Sequence, residues 1–186
     1  LIACGSLRSF FPNGFAYYVF ARKQYDASLT YEELIEDYYS CAYGENWKAF
    51  ADYLSELGGA IGFAYLETKE SADKEKGLYY NPERAEKLRT VPSIVEKGRA
   101  LVGENYNSPY RIRTVSVRLL EYHAEYAEMA AKVFELKADG KNVEASELMF
   151  GELFPLMCRD GRALEQYFDT ELSRQHIFGI IGKPQK

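Results

Sequence analysis

Apolar side chains recur every three or four positions at Ile112, Val115, Leu119, Tyr122, Tyr126, Met129, Val133 and Leu136. That spacing puts them on one stripe of a long helix. The charges Arg118, Glu121, Glu125, Glu128 and Lys132 fall off the stripe, and Glu128 with Lys132 forms a four-residue pair worth about 0.2–0.5 kcal/mol on a helix surface. Ser108-Pro109 reads as N-cap and first helical residue, and Asp139-Gly140 as the stop. A stripe of this length needs partner helices, so the pattern predicts a bundle with the 109–139 helix at its centre.

Similar punctuation marks the other helices. Thr30-Tyr31-Glu32-Glu33 is a capping box opening a helix that turns Leu34, Ile35, Tyr38 and Tyr39 inward and ends at Gly44. From Asn46 a further helix carries Trp47, Phe50, Ala51, Leu54 and Leu57 into Gly58, Gly59 and Gly62, glycines that either end it or permit close packing. The charged run 67–76 reads as a surface loop or a frayed helix extension. Asn81-Pro82-Glu83 restarts a helix, and Pro92 divides 82–106 into two short helices or one kinked one. Segments 143–157 and 163–181 complete the set, with Gly151, Pro155 and Gly161 as interruptions. The expected fold is mainly α, a bundle of about seven helices. Strand-like sequence is confined to Leu1–Gly5, with 61–66 as a weak competitor to helix.

Composition narrows the classes. Of 186 residues 47% are hydrophobic and 27% charged, which excludes a disordered chain and allows one good core. A net charge of -5 with scattered Lys and Arg disfavours nucleic acid, because phosphate binding needs a basic face. No run approaches the ~20 apolar residues of a membrane helix, so no span is expected. The apolar opening Leu1-Ile2-Ala3-Cys4-Gly5 looks like the middle of a strand, and we expect a fragment of a longer chain.

Recognisable catalytic chemistry is scarce. Cys4, Cys41 and Cys158 lie far apart, with no C-x-x-C and no His at ligand spacing. They read as buried structural thiols, and neither a metal nor a cofactor is expected. Glu32, Glu33, Glu36 and Asp37 cluster as a glycosidase's paired carboxylates would, but any solvated helix offers that spacing, and acids near a helix N-terminus support the cap. His123 and His176 have no partner at i+4 and read as packing or surface residues. The chain carries 16 Tyr and 11 Phe. Aromatic faces suit sugars, although helical spacing assigns most of them to interfaces. Tyr79, Tyr80 and Tyr106, predicted to lie in connections, are the sugar-binding candidates.

The segment LRSFFPNGFAYYVFARKQYDASLTYEELIEDYYSCAYG, from Leu7 to Gly44, resembles the junction where a glycoside-hydrolase-like (β/α)8 barrel passes into a C-terminal helical domain. The family is a group of bacterial proteins similar to alpha-glucuronidases and hexosaminidase-type enzymes. RIRTVSVRLLEYHAEYAEMAAKVFELKADGKNVEASELMFGEL, from Arg111, is similar to that family's long helix, glycine turn and following helix. The resemblance implies that residues 1–29 are the last strand and helix of the barrel and 30–186 the helical domain. It implies an accessory domain of a carbohydrate-active hydrolase, with the barrel and an oligosaccharide as partners, a possible homodimer contact, and a secreted or periplasmic setting. The family's acids would sit at the ends of barrel strands. No carboxylate precedes Asp26, so none is transferred and no catalytic residue is expected. Ser6, Arg8 and Asn13 are the polar groups placed to line the barrel mouth. Arg8 suits a sugar carboxylate, although a salt bridge or turn contact is the favoured reading of it. The alternative is a non-enzymatic helical module that binds carbohydrate or protein.

Overall fold

The computed structural model describes residues 11, 12 and 14–183, and over them the chain is mainly helical, with no strand. The strand expected at Leu1–Gly5 lies outside the described residues. Ten α-helices follow in order: α1 Phe15–Tyr25, α2 Tyr31–Tyr43, α3 Trp47–Ile61, α4 Phe63–Thr68, α5 Pro82–Leu88, α6 Val91–Glu104, α7 Arg111–Ala138, α8 Asn142–Leu148, α9 Phe154–Leu164 and α10 Thr170–Ile181. A 3-10 turn, Gly44–Asn46, links α2 to α3, and a π turn, Met149–Leu153, links α8 to α9. The division is finer than the seven expected, because the 61–66 segment is helical rather than extended and short breaks cut the later helices.

The long helix α7 is central: it packs on α2, α5, α6, α8 and α9. Its deepest seam lies beside the expected stripe. Val117, Leu120, Ala124, Ala127, Ala131, Phe134 and Ala138 are all buried at alternating spacings of three and four. Alanine carries little apolar area, but lets neighbouring helix backbones approach closely and keeps full helix propensity. Within the expected stripe Leu119 and Val133 are buried, while Ile112 and Tyr122 are 58% and 40% exposed. The stripe of large residues is therefore a second, shallower face.

Local chemistry accounts for many boundaries. The capping box of α2 is closed: Thr30 N donates to Glu33 Oε2 at 2.7 Å and Glu33 N to Thr30 Oγ1 at 3.2 Å. At α5, Arg84 N donates to the Asn81 side chain at 3.0 Å and Pro82 occupies the first turn. At α7 the expected cap differs. Ser108 N donates to Thr114 Oγ1 at 3.1 Å, Thr114 Oγ1 donates back to Ser108 O at 3.0 Å, and Ser108 Oγ accepts from Tyr110 N at 3.2 Å. Ser108 thus folds a turn ahead of the helix, and Tyr110 is the N-cap. Glu128 pairs with Arg99 of α6 at 2.8 Å, an interhelical contact in place of the local pairing expected with Lys132.

Glycines act where the backbone needs them. Gly58 and Gly59 lie inside α3 with open space where a Cβ would stand, so they neither end the helix nor tighten its packing. Gly62 ends it at φ 78°, with the Arg84 guanidinium filling the Cβ position. Arg84 donates there to Gly59 O at 3.0 Å. Gly98 of α6 makes room for the Tyr53 ring, which any Cβ would strike. Gly161 does not interrupt: α9 runs through it to Leu164, and the break comes at 165–169, where Leu172 N donates to Asp169 Oδ1 at 3.0 Å to cap α10.

Two clusters form the core. The larger draws on α3–α10 around Leu57, Tyr65, Leu88, Val95, Val133 and Met149. The smaller joins Tyr43, Phe50, Val102, Val117 and Leu120, with Tyr43 stacked on Phe50 at 4.5 Å between centroids. Neither reaches α1, which buries no side chain.

Candidate functional site

The expected sugar-binding tyrosines do not form a site. Tyr79 is buried, with its ring edge-to-face on Tyr65 at 5.7 Å. Tyr65 Oη donates to Tyr79 O at 2.6 Å. No face of Tyr79 remains for a sugar, which corrects the expectation. Its burial follows from the loop folding back over α4. Tyr80 is half-buried against the turn at Gly140, and Lys76 Nζ lies 4.8 Å from its ring centroid. Tyr106 holds the Arg118 guanidinium 4.6 Å from its centroid and donates from Oη to Glu121 Oε2 at 3.2 Å. Tyr80 thus stands by the C-terminal end of α7 and Tyr106 by its N-terminal third, roughly 30 Å apart at the helical rise of 1.5 Å per residue. They cannot share one oligosaccharide subsite. Arg8 and Asn13 lie outside the described residues.

The acids on α2 face solvent, and two of them, Glu33 and Asp37, are already engaged. Glu33 serves the capping box, and the Thr30 N–H and hydroxyl hold its carboxyl below the usual range. Asp37 accepts from Arg22 Nη1 at 2.7 Å and from the Tyr18 hydroxyl. Among the described residues no second acid is paired with either one across a cleft, as acid–base glycoside chemistry would require. Cys41 and Cys158 are exposed, against the expectation of buried thiols. Both sit on outward faces of their helices, and Cys4 lies outside the described residues. His176 is exposed on α10. Among the described residues no His, Cys, Asp and Glu gather as metal ligands, and no helix is long and apolar enough to cross a membrane.

The structure adds a concave feature. Between α7, α9 and the link into α10 lies a half-open cavity of about 40 Å³, lined by Leu119, His123, Tyr126, Met157, Asp160, Leu164 and Phe168. It adjoins an open groove of about 500 Å³ along the start of α7, and Phe11, Leu119 and Tyr167 line both. Phe11 is tethered there by its N–H, which donates to Tyr167 O at 2.8 Å.

His123 is the unusual wall residue. Its Nδ1 is buried without a hydrogen-bond partner, and desolvation lowers the imidazole pKa to about 4, so the ring is neutral near pH 7. Two of the other polar groups, Asp160 and Tyr126, already have partners. Asp160 accepts from Arg159 Nε at 2.9 Å and Nη2 at 2.7 Å, and Arg159 also grips Glu125 at 2.8 Å. Tyr126 Oη lies 3.0 Å from Ser173 Oγ. The sequence places His123 beside the α7 stripe, but the cavity is assembled from α9 and α10, more than thirty residues on. No local pattern announces it.

Comparison with protein-family models, with curated proteins and with solved structures finds no match to this chain.

Proposed function

We propose that this chain is the C-terminal helical domain of a carbohydrate-active, glycoside-hydrolase-like protein, with a structural or substrate-rim role and no catalysis of its own. The reading rests on the resemblance carried by residues 7–44 and by the stretch from Arg111. The observation that favours it is α1. This helix is rich in aromatic residues, yet buries none of them and meets chiefly α2. Phe15 packs on Tyr38 at 5.4 Å and Tyr39 at 5.6 Å, while Phe20 and Tyr25 stay 43% and 94% exposed. An aromatic helix with one face docked on α2 and the other open suits an element that belongs to a second domain, here the last helix of the barrel that the resemblance implies.

The alternative, a non-enzymatic helical binding module, draws support from the cavity beside His123. Sequence upstream of Leu1 separates the two readings. Alternating strands and helices over some hundreds of residues support the barrel, and their absence removes it. The functional test assays the 186-residue chain and the upstream-extended protein on aryl glycosides and uronic-acid-bearing oligosaccharides. Turnover by the extended protein alone supports the accessory role. Turnover by the short chain, lost on Glu33→Gln or Glu36→Gln, overturns it.

A further inference from the structure

We propose that the open groove along the start of α7 is a docking surface for an acidic amphipathic helix of a partner protein, whose apolar stripe covers Ile112 and Val115 and whose carboxylates meet Arg111 and Arg118. The inference is independent of any carbohydrate role. The apolar part of the groove is laid out at helical spacing. Ile112, Val115 and Leu119 follow one another by three and four residues, and Phe11 and Tyr167 complete the lining. From Arg111 to Leu119 the groove extends ~12 Å along the helix axis, about two turns. Anchors at i, i+3 or i+4 and i+7 on an incoming helix match a groove of that length. Ile112 is 58% exposed, and covering it removes apolar surface from water.

Charge selects the partner. Arg111 lines the groove, and Arg118, seven residues on, falls on the same side of the helix. Among the described residues neither forms an ion pair. Arg118 donates to Asn107 Oδ1 at 2.7 Å and lies 4.6 Å from the Tyr106 ring centroid, both uncharged groups. Elsewhere Arg22, Arg89, Arg99, Arg159 and Arg174 each bond a carboxylate. The first turn of α7 supplies no acid, and a cation there opposes the helix dipole. Carboxylates on a docked helix would meet both needs. Other occupants fit less well. An open groove leaves most of a small molecule in water, whereas ligand pockets bury most of theirs. A second copy set groove on groove across a two-fold axis brings Arg111 towards its own counterpart. Residues 1–10 of this chain carry no carboxylate, and a net charge of -5 opposes an anionic lipid surface.

The probe is a synthetic helical peptide with leucines at i, i+3, i+4 and i+7 and glutamates along one flank, titrated into the 186-residue chain and followed by two-dimensional NMR. The expected result is a saturable set of shifts centred on residues 111–119, weakened by added salt. Replacing the peptide's glutamates by glutamines, or Ile112→Glu in the protein, weakens binding by about tenfold or more. The double variant Arg111→Glu, Arg118→Glu loses the glutamate peptide and gains the corresponding lysine peptide, a swap that damage to the fold would not produce. All three substituted side chains are exposed, so the variants keep the fold. Absence of saturation overturns the proposal, as do equal binding of the glutamate and glutamine peptides, shifts centred on the open face of α1, or a double variant that binds the glutamate peptide like the parent. Concentration-dependent shifts at 111–119 without peptide assign the face to a second copy, and shifts there with phosphatidylserine vesicles but not with the peptide assign it to a membrane; either result overturns the proposal.

Discussion

Helices α1 and α7 both carry many apolar residues, but they are held in different ways. α7 buries ten side chains in a seam where alanines alternate with Val117, Leu120 and Phe134. α1 buries none, and is fixed to α2 by ring contacts around Phe15 and by Arg22 bonding Asp37. Apolar content alone therefore does not make a core. A helix becomes central when small residues let several neighbours approach at once, whereas large exposed rings with one docked side leave it at the edge. Local stability follows buried contacts, so the two helices should differ by the full range the molecule offers.

The largest effect is expected from the centre. Leu120 is fully buried, and Leu120→Ala should cost about 2–5 kcal/mol through lost transfer energy and the cavity left behind. Denaturant unfolding measures it, and a variant as stable as the parent would break the contrast with α1. Acid should also act on α7. The His123 pKa is lowered to about 4 in the folded state from 6.5, so the unfolded chain binds more protons between those values. Stability from the neutral ring is complete above pH 6.5 and is lost as pH falls towards 4, by up to about 3 kcal/mol. Unfolding curves at pH 7 and pH 4.5 should show a larger loss in the parent than in His123→Leu, and equal losses would remove His123 as the cause.

Overpacking sharpens the alanine argument. Ala127→Leu adds bulk at a residue 1% exposed and should destabilise by about 1–3 kcal/mol, although leucine is a strong helix former. A neutral result would mean that the seam is loosely packed. At the other extreme, Phe20→Ser on the open face of α1 should change stability by no more than about 0.5 kcal/mol, checked in the same unfolding assay.

What the sequence made legible is the chemistry that acts over one turn. The Thr30 capping box, the Asn81-Pro82 start and the Asp139-Gly140 stop each join residues within four positions, and all form as expected. The all-helical class followed from the same periodicity. The seam of α7 was harder to read, because a stripe of large residues stands out while alanines one position away do not. Ser108 was misread for a related reason: its partner Thr114 lies beyond the span of a cap. The candidate site was the least legible part. Tyr79 disappears against Tyr65, fourteen residues away along the chain, and the His123 cavity needs walls from α9 and α10. Both depend on tertiary approach, which no local spacing encodes.

Native-state hydrogen exchange resolved by residue tests the α1–α7 contrast most directly. The seam amides from Val117 to Ala138 should exchange only through global unfolding, with protection equal to the full stability. Amides of Phe15–Tyr25 should exchange through local opening, at least a hundredfold faster in the protein's native buffer. Equal protection in the two helices would contradict the account.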